Sequence, residues 1–381
     1  MPTAKTFKVE ISDQAIADLH QRLDMTRWPD QLTDAGWEQG TEIGYLKELV
    51  AYWRHGFDWR AQELKLNALD QFTLEFDGLR THFIHQRSPH ANAQPLLLNH
   101  GWPGSVVEFL ELIPRLVEPE KFGGRKEDAF HVVAPSLPGY GFSEPAREAG
   151  MHTRAIAARH IELMRLLGYE RFICQGGDWG AMITRQVADL APERCEAIHL
   201  NMVLAAPADA NEPYANVTEA EQQRLEEDAR ISRDGMGYYK IQATKPQSLG
   251  YALHDSPVGL CAWIAEKFQR WTDCDGEIRN AVSWDTLLTN ISWYWFSGSI
   301  TSSMRLYYEH RQHKDPVRRI EVPTGAAIYP VELLRPPRAW VEASYNLVRW
   351  YEADSGGHFA ALEKPQAFAE DLWRFREALR G

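Results

Sequence analysis

Cys174-Gln175-Gly176-Gly177-Asp178-Trp179-Gly180-Ala181 sets a Gly-x-Asp-x-Gly turn between the apolar run Phe172-Ile173-Cys174 and a segment that opens as a helix. A turn this sharp forces its central residue, Asp178, into a strained backbone conformation. Glycines two positions before and after it keep strand and helix from clashing. The stretch has the form of a nucleophile elbow. Taken alone it also reads as an ordinary glycine-rich turn capped by Asp178, so the surrounding chain has to decide.

Outward from the elbow, short apolar runs recur at Leu96-Leu97-Leu98, His131-Val132-Val133-Ala134 and Ala197-Ile198-His199-Leu200. Residues 153–167 carry helical spacing through Ile156, Ile161, Met164 and Leu167, stopped by Gly168. Strand, helix and strand in alternation imply right-handed crossovers and a parallel sheet. With the elbow, this predicts the α/β-hydrolase fold, a mostly parallel central sheet with helices on both faces. Upstream, the alternating runs Phe72–Phe76 and Leu79–His85 flank Asp77-Gly78 and read as a hairpin. The alternation stops near Pro207 and resumes at Ile320-Glu321-Val322. Two last strands follow near 325–329 and 347–352, then an amphipathic helix from Pro365 to Leu379. The expected division is an N-terminal wrapping segment over 1–70, a first part of the core over 71–206, an inserted mainly helical cap over 207–318, and a second part of the core over 319–381. Within the first segment Ile16, Leu19 and Leu23 share a helical face ahead of the breaker Trp28-Pro29-Asp30.

A net charge of −12, with 44% hydrophobic and 25% charged residues, describes a folded protein without the clustered basic face that nucleic acid requires. No apolar run approaches the roughly 18 residues of a membrane span. Met1-Pro2-Thr3-Ala4-Lys5 does not read as a leader. The expectation is a soluble, cytoplasmic protein with no membrane anchor. Cys174, Cys195, Cys261 and Cys274 show no CxxC spacing and read as reduced thiols. The glycosylation triplets at Asn216 and Asn290 read as chance.

An aspartate where the elbow often carries serine changes the reaction class. A carboxylate displaces at saturated carbon and forms an alkyl ester, so the electrophile is a strained epoxide or an alkyl halide. The ester must then be hydrolysed, which needs a base to activate water and an oxyanion hole. Gly356-Gly357-His358-Phe359 follows the last strand, where this fold puts its histidine, so His358 is the base. Glu332, in Ile328-Tyr329-Pro330-Val331-Glu332, lies at a strand end and is the acid that orients His358. Asp354 is its rival, and Asn201, at another place where this fold can supply an acid, cannot be an anionic partner. Asn99-His100-Gly101-Trp102-Pro103-Gly104 ends a further strand, so the backbone N–H groups of Trp102 and Trp179 form the oxyanion hole. The Trp102-Pro103 bond is a candidate cis peptide. This chemistry needs neither cofactor nor metal.

Trp28-Pro29-Asp30, His100-Gly101-Trp102-Pro103-Gly104-Ser105, Gly176-Gly177-Asp178-Trp179-Gly180, Val322-Pro323-Thr324-Gly325, Pro330-Val331-Glu332-Leu333-Leu334 and Gly356-Gly357-His358-Phe359-Ala360-Ala361 together resemble the microsomal-type epoxide hydrolases over nearly the whole chain. The resemblance implies conversion of a small hydrophobic epoxide and water to a vicinal diol, in detoxification or aromatic hydrocarbon catabolism. It also implies two cap tyrosines that donate to the epoxide oxygen. By motif these are Tyr238 and Tyr307, with Tyr239 and Tyr308 open as neighbours one position on. A homodimer stays open as the assembly. Trp263, Trp271, Trp284, Trp293, Trp295 and Phe296 point to an aromatic-walled pocket, although most must pack cap against core. Two other readings remain: a haloalkane dehalogenase with the same nucleophile, and a non-catalytic binding protein on the same fold.

Overall fold

The computed structural model describes residues 3–314 and 318–380. Met1, Pro2 and Gly381, at the outer ends of the expected terminal segments, lie outside the described residues, as do 315–317 of the expected cap.

Strands β1 (Lys5–Phe7), β2 (Gln71–Phe76), β3 (Leu79–Gln86), β4 (Gln94–Asn99), β5 (Phe130–Pro135), β6 (Phe172–Gly176), β7 (Cys195–Leu200), β8 (Ile320–Ile328) and β9 (Tyr345–Glu352) form one sheet in the order β1-β2-β3-β5-β4-β6-β7-β8-β9. The first three strands pair antiparallel, and β3 meets β5 antiparallel. From β5 through β9 every pairing is parallel. The β2–β3 hairpin turns on Asp77 and Gly78, both at positive φ, as the sequence predicts.

Side chains on a strand alternate between its faces, and the core divides accordingly. Leu97, Val133, Cys174 and Ile198 face the helices Thr153–Leu166 and Trp179–Leu190 through Ile156, Leu163, Ile183 and Val187. Their neighbours Leu96, Leu98, Val132, Ile173 and Ala197 face the helices Leu112–Val117 and Pro365–Ala378 through Leu112, Leu116, Phe368 and Leu372. Strands covered on both faces need the continuous apolar runs from which the sheet was read.

Two elements depart from the sequence reading. The runs Ile320–Val322 and 325–329, read as separate strands, are one strand, β8. Pro323 sits inside it where the register with β9 shifts, a site at which a missing N–H is tolerated. The three-residue β1, too short to carry a period, extends the sheet edge by pairing with β2.

After β7 the chain leaves the sheet for helices that include Pro246–Asp255, Pro257–Trp271, Trp284–Ser297 and Ile300–Gln312, and returns at β8. The N-terminal segment lies against these helices. Trp53 donates to Ser292 at 3.1 Å, the Tyr52 hydroxyl donates to Asp285 at 2.7 Å, and Trp59 packs on Phe296. The four cysteines are buried free thiols. Among the described residues no helix is long and apolar enough to cross a membrane.

Candidate active site

Asp178 lies two residues beyond the end of β6, at φ 50° and ψ −130°, and Trp179 is the first residue of the helix that follows. A strand can turn this sharply into a helix only if nothing fills the crossing with β4: a Cβ at Gly180 would lie 2.0 Å from the Asn99 carbonyl oxygen. The strained turn lifts the Asp178 carboxylate above the carboxyl ends of the parallel strands, where ligands of such sheets bind.

Oδ1 of Asp178 accepts the backbone N–H of Trp102 at 2.7 Å. Trp179, as the first helical residue, has a backbone N–H with no intrahelical acceptor. The loop carrying Trp102 contains the cis Trp102-Pro103 bond and is held from the inserted helix Trp284–Ser297. Asn290 Nδ2 donates to the Pro103 carbonyl at 2.7 Å, Ser105 Oγ donates to Asn290 Oδ1 at 2.7 Å, and the Tyr294 hydroxyl donates to the Gly104 carbonyl at 2.6 Å. Asn290, one of the two glycosylation triplets, is thus buried in a structural network.

His358 reaches Asp178 from the loop after β9, with Nε2 3.4 Å from Asp178 Oδ2. Its Nδ1 meets Glu332 Oε1 at 2.6 Å, and that oxygen also accepts the Leu333 N–H at 2.6 Å. Burial works against an imidazolium here. The charge of Glu332, with the Asp178 hydrogen bond and the remaining contacts to both carboxylates, outweighs it and holds His358 well above its ordinary value. Asp354, the rival acid, is exposed. Asn201 accepts the Gln175 side-chain N–H at 2.8 Å.

Asp178 borders two cavities. The larger, ≈ 280 Å³, is lined by Met182, Met202, Leu204, Trp271 and Leu333, with Tyr238, Tyr239 and Tyr307. Tyr238 stacks on Trp102 at 5.4 Å and 9°, and Tyr307 stands edge-on to Trp102 and Trp179. Tyr307 is 1% exposed. Tyr308 is 39% exposed and absent from this lining. Tyr239 reaches the cavity beside Tyr238. Burial first, with nearby phenol and carboxylate groups adding to it, pushes the Tyr238 and Tyr307 phenols far up, so both are neutral donors. The smaller cavity, ≈ 10 Å³, lies toward His358.

The aromatic wall is narrower than the sequence predicts. Of the six rings only Trp271 lines the cavity beside Asp178, because the others are spent on packing or lie elsewhere. Trp293 packs on Phe142, Trp284 on Tyr45 and Tyr52, and Phe296 on Trp59, while Arg22 covers Trp295. Trp263 lines a wider groove, ≈ 1410 Å³, between the N-terminal segment and the inserted helices.

Three acidic side chains around the histidine loop went unnoticed in the sequence. Glu108 borders the small cavity. Asp273 Oδ2 accepts the Gly356 N–H at 2.8 Å, and Glu363 accepts the N–H groups of Asp273 and Phe359 at 2.9 and 3.0 Å. For Glu108 and Glu363 the one signal was a carboxylate within or at the end of an apolar run, Val106-Val107-Glu108-Phe109 and Ala360-Ala361-Leu362-Glu363, and Asp273, in the polar stretch Thr272-Asp273-Cys274-Asp275-Gly276, gave none.

An elbow at the head of a parallel sheet, answered by a histidine after its last strand, defines an α/β-hydrolase, and the family model described as "alpha/beta hydrolase fold" matches residues 94–286. A second model, "Epoxide hydrolase N terminus", matches residues 4–109. The chain is 39% identical over 400 residues to Epoxide hydrolase 1 of Oryctolagus cuniculus, covering 97% of this chain and 88% of that one. It is also similar to two solved structures. The juvenile hormone epoxide hydrolase of the silkworm Bombyx mori has a TM-score of 0.92 and 32% identity, covering 100% of this chain and 95% of that one. The Aspergillus niger epoxide hydrolase has a TM-score of 0.88 and 31% identity, covering 98% and 96%. This chain belongs to the epoxide hydrolase family.

Proposed function

We propose that this protein adds water to a small hydrophobic epoxide, giving a vicinal diol through a covalent ester on Asp178. Oδ1 is held by the Trp102 N–H, which leaves Oδ2 to attack an epoxide carbon and break its C–O bond. Tyr238 and Tyr307 donate to the departing oxygen, and one of them gives up its proton to the alkoxide. His358 then takes a proton from water, and the hydroxide adds to Cγ of the ester. The oxyanion that forms at Oδ1 meets the N–H groups of Trp102 and Trp179. Collapse breaks the bond from Cγ to the alkyl oxygen, and the diol leaves with the proton held by His358. The proton that the regenerated Asp178 carboxyl releases restores the phenol. In this reading Glu332 orients His358, and residues 207–318 act as a cap that carries the phenols over the core formed by 71–206 and 319–381.

The observation that carries the reading is that one carboxylate, Asp178, adjoins both the cavity containing the two buried phenols and the histidine paired with Glu332. Paired phenols favour an epoxide over a haloalkane, since only ring opening makes an alkoxide in need of a proton. Multiple turnovers in ¹⁸O-water followed by peptide mass analysis should put label in the peptide containing Asp178. An unlabelled peptide would mean direct attack of water on the epoxide. Halide release from haloalkanes at a rate matching diol formation would move the reading to a dehalogenase.

A further inference from the structure

The small cavity beside Asp178 is about the size of one water molecule. Its walls include Asp178, His358, Glu108 and Gln175, and the Gln175 side-chain oxygen is buried without a hydrogen-bond partner among the described residues. The polar lining and the size suit a water, and Asp178 separates this cavity from the one that holds the phenols.

Glu108 comes from the short turn Val106–Phe109 that follows the Trp102 loop. Its carboxyl folds back over Gly104, where a Cβ would lie 1.6 Å from Glu108 Oε1, so only glycine at 104 lets the carboxyl take this place. Asp178 and His358 face it across the cavity, and Glu363 faces it from the helix Ala360–Glu363. The Tyr294 phenol faces it from the inserted helices, and the Ser105 N–H bonds to it. A carboxyl group has no packing role that an apolar residue in this run would not fill better, and leaving it here carries a desolvation cost.

We propose that Glu108 is the second hydrogen-bond partner of the hydrolytic water, accepting one O–H while His358 Nε2 takes the proton of the other. The water oxygen is thereby held beside Cγ of the Asp178 ester, on the side of Asp178 away from the cavity that holds the phenols. This deepens the ester mechanism proposed above and rests on it. Burial pushes the Glu108 carboxyl up to about 8, with His358 opposing the rise and the Asp178 charge adding to it. Ester formation cancels that Asp178 charge. The carboxylate, the better acceptor, is therefore favoured in the state where water has to be oriented.

The test is single-turnover rapid quench of the full chain with an epoxide, reading the covalent adduct by intact mass. Glu108→Leu removes the acceptor, whereas Glu108→Gln keeps an acceptor oxygen without charge. The expected result is adduct formation at the parental rate in both variants. Adduct decay should be roughly 10- to 100-fold slower in Glu108→Leu, the worth of one hydrogen bond to a charged group, and intermediate in Glu108→Gln. Decay at the parental rate in Glu108→Leu would overturn the proposal. So would an equal slowing of both steps in both variants, which would make Glu108 a structural part of the site. If neither the parent nor His358→Gln ever shows an adduct, the ester mechanism itself falls and takes this proposal with it. An adduct that forms and decays normally without Glu108 brings down the role of Glu108 alone.

Discussion

Nε2 of His358 lies 3.4 Å from Oδ2 of Asp178, the carboxylate oxygen that the Trp102 N–H does not hold. With Asp178 on one side and Glu332 on the other, the imidazole is held charged well above its ordinary value, and a charged imidazole cannot accept a proton. Alkylation of Asp178 removes one of the two charges, so in the proposed mechanism the imidazolium releases its proton to solvent, and becomes a base, only once there is an ester to hydrolyse, and it takes a proton back when the Asp178 charge returns.

His358→Gln should therefore form the Asp178 ester and accumulate it, because a carboxylate needs no base to be a nucleophile near neutral pH. Intact mass after mixing with an epoxide should show a stable stoichiometric adduct. A variant that binds substrate without gaining mass would contradict this division of labour.

Glu332→Gln should lower turnover by about 100- to 10,000-fold, the scale seen when a histidine loses its orienting carboxylate in other hydrolases. The loss should fall on ester hydrolysis. Asp354→Asn, at an exposed position, should turn over at the parental rate. Steady-state kinetics of the two variants side by side checks the choice between the acids.

Removing one hydroxyl that meets a developing oxyanion typically slows reaction about 100- to 1000-fold. Tyr238→Phe and Tyr307→Phe should each slow alkylation by that amount or less, since one phenol remains, and the double variant should nearly abolish it. Tyr308→Phe should have no effect, as Tyr308 is 39% exposed and outside the cavity. If Tyr239→Phe slows alkylation and Tyr238→Phe does not, the donor is the neighbouring ring, which reaches the same cavity.

What the sequence made legible was local. The elbow, the hairpin at Asp77-Gly78 and the helix stop at Gly168 are each written in adjacent residues, because a backbone conformation depends on its own side chains. That Glu332 is the carboxylate beside His358, with Asp354 exposed, follows from strand ends. Tyr307 and Tyr308 could not be told apart from sequence, since one step along a helix turns a side chain by about 100° and the direction is fixed by what the helix packs against. Glu108, Asp273 and Glu363 were illegible for the same reason. Asp273 and Glu363 accept the N–H groups of Gly356 and Asp273, and Glu108 shares its cavity with Asp178 and His358, groups that only folding brings near. The rings expected around the pocket mostly pack against the N-terminal segment, whose position over the inserted helices no local pattern announces.

Glu108 also affects stability. Its carboxyl rises from 4.5 to about 8 on folding, so the native state binds a proton more tightly than the unfolded chain. That contribution is complete below about pH 4.5 and is lost as pH rises toward 8. Glu108→Gln cannot ionise. Its melting temperature relative to the parent should climb across that window and level off above about pH 8, ending a few degrees higher than at pH 5. A difference that stays flat with pH would mean the buried carboxyl does not titrate as its surroundings require.

The last prediction concerns what holds His358 in reach. The Gly356 N–H donates to Asp273 Oδ2 at 2.8 Å and the His358 N–H to the Trp271 carbonyl at 2.8 Å, while Glu363 bonds the backbone of Asp273 and Phe359 at 2.9 and 3.0 Å. The loop bearing His358 is therefore fastened to the end of the inserted helix Pro257–Trp271 and not only to its own strand, β9. Asp273→Ala removes one fastening and leaves Asp178, both phenols and the Trp102 loop untouched. Proton transfer is sensitive to ångström-scale displacement of the base, whereas attack by the Asp178 carboxylate does not pass through His358. Asp273→Ala should therefore slow decay of the ester by about 10-fold or more while its formation proceeds at the parental rate, and Asp273→Asn, which keeps an acceptor oxygen, should recover most of the loss. Equal slowing of formation and decay in Asp273→Ala would mean that the contact fixes the inserted helices over the substrate and not the histidine.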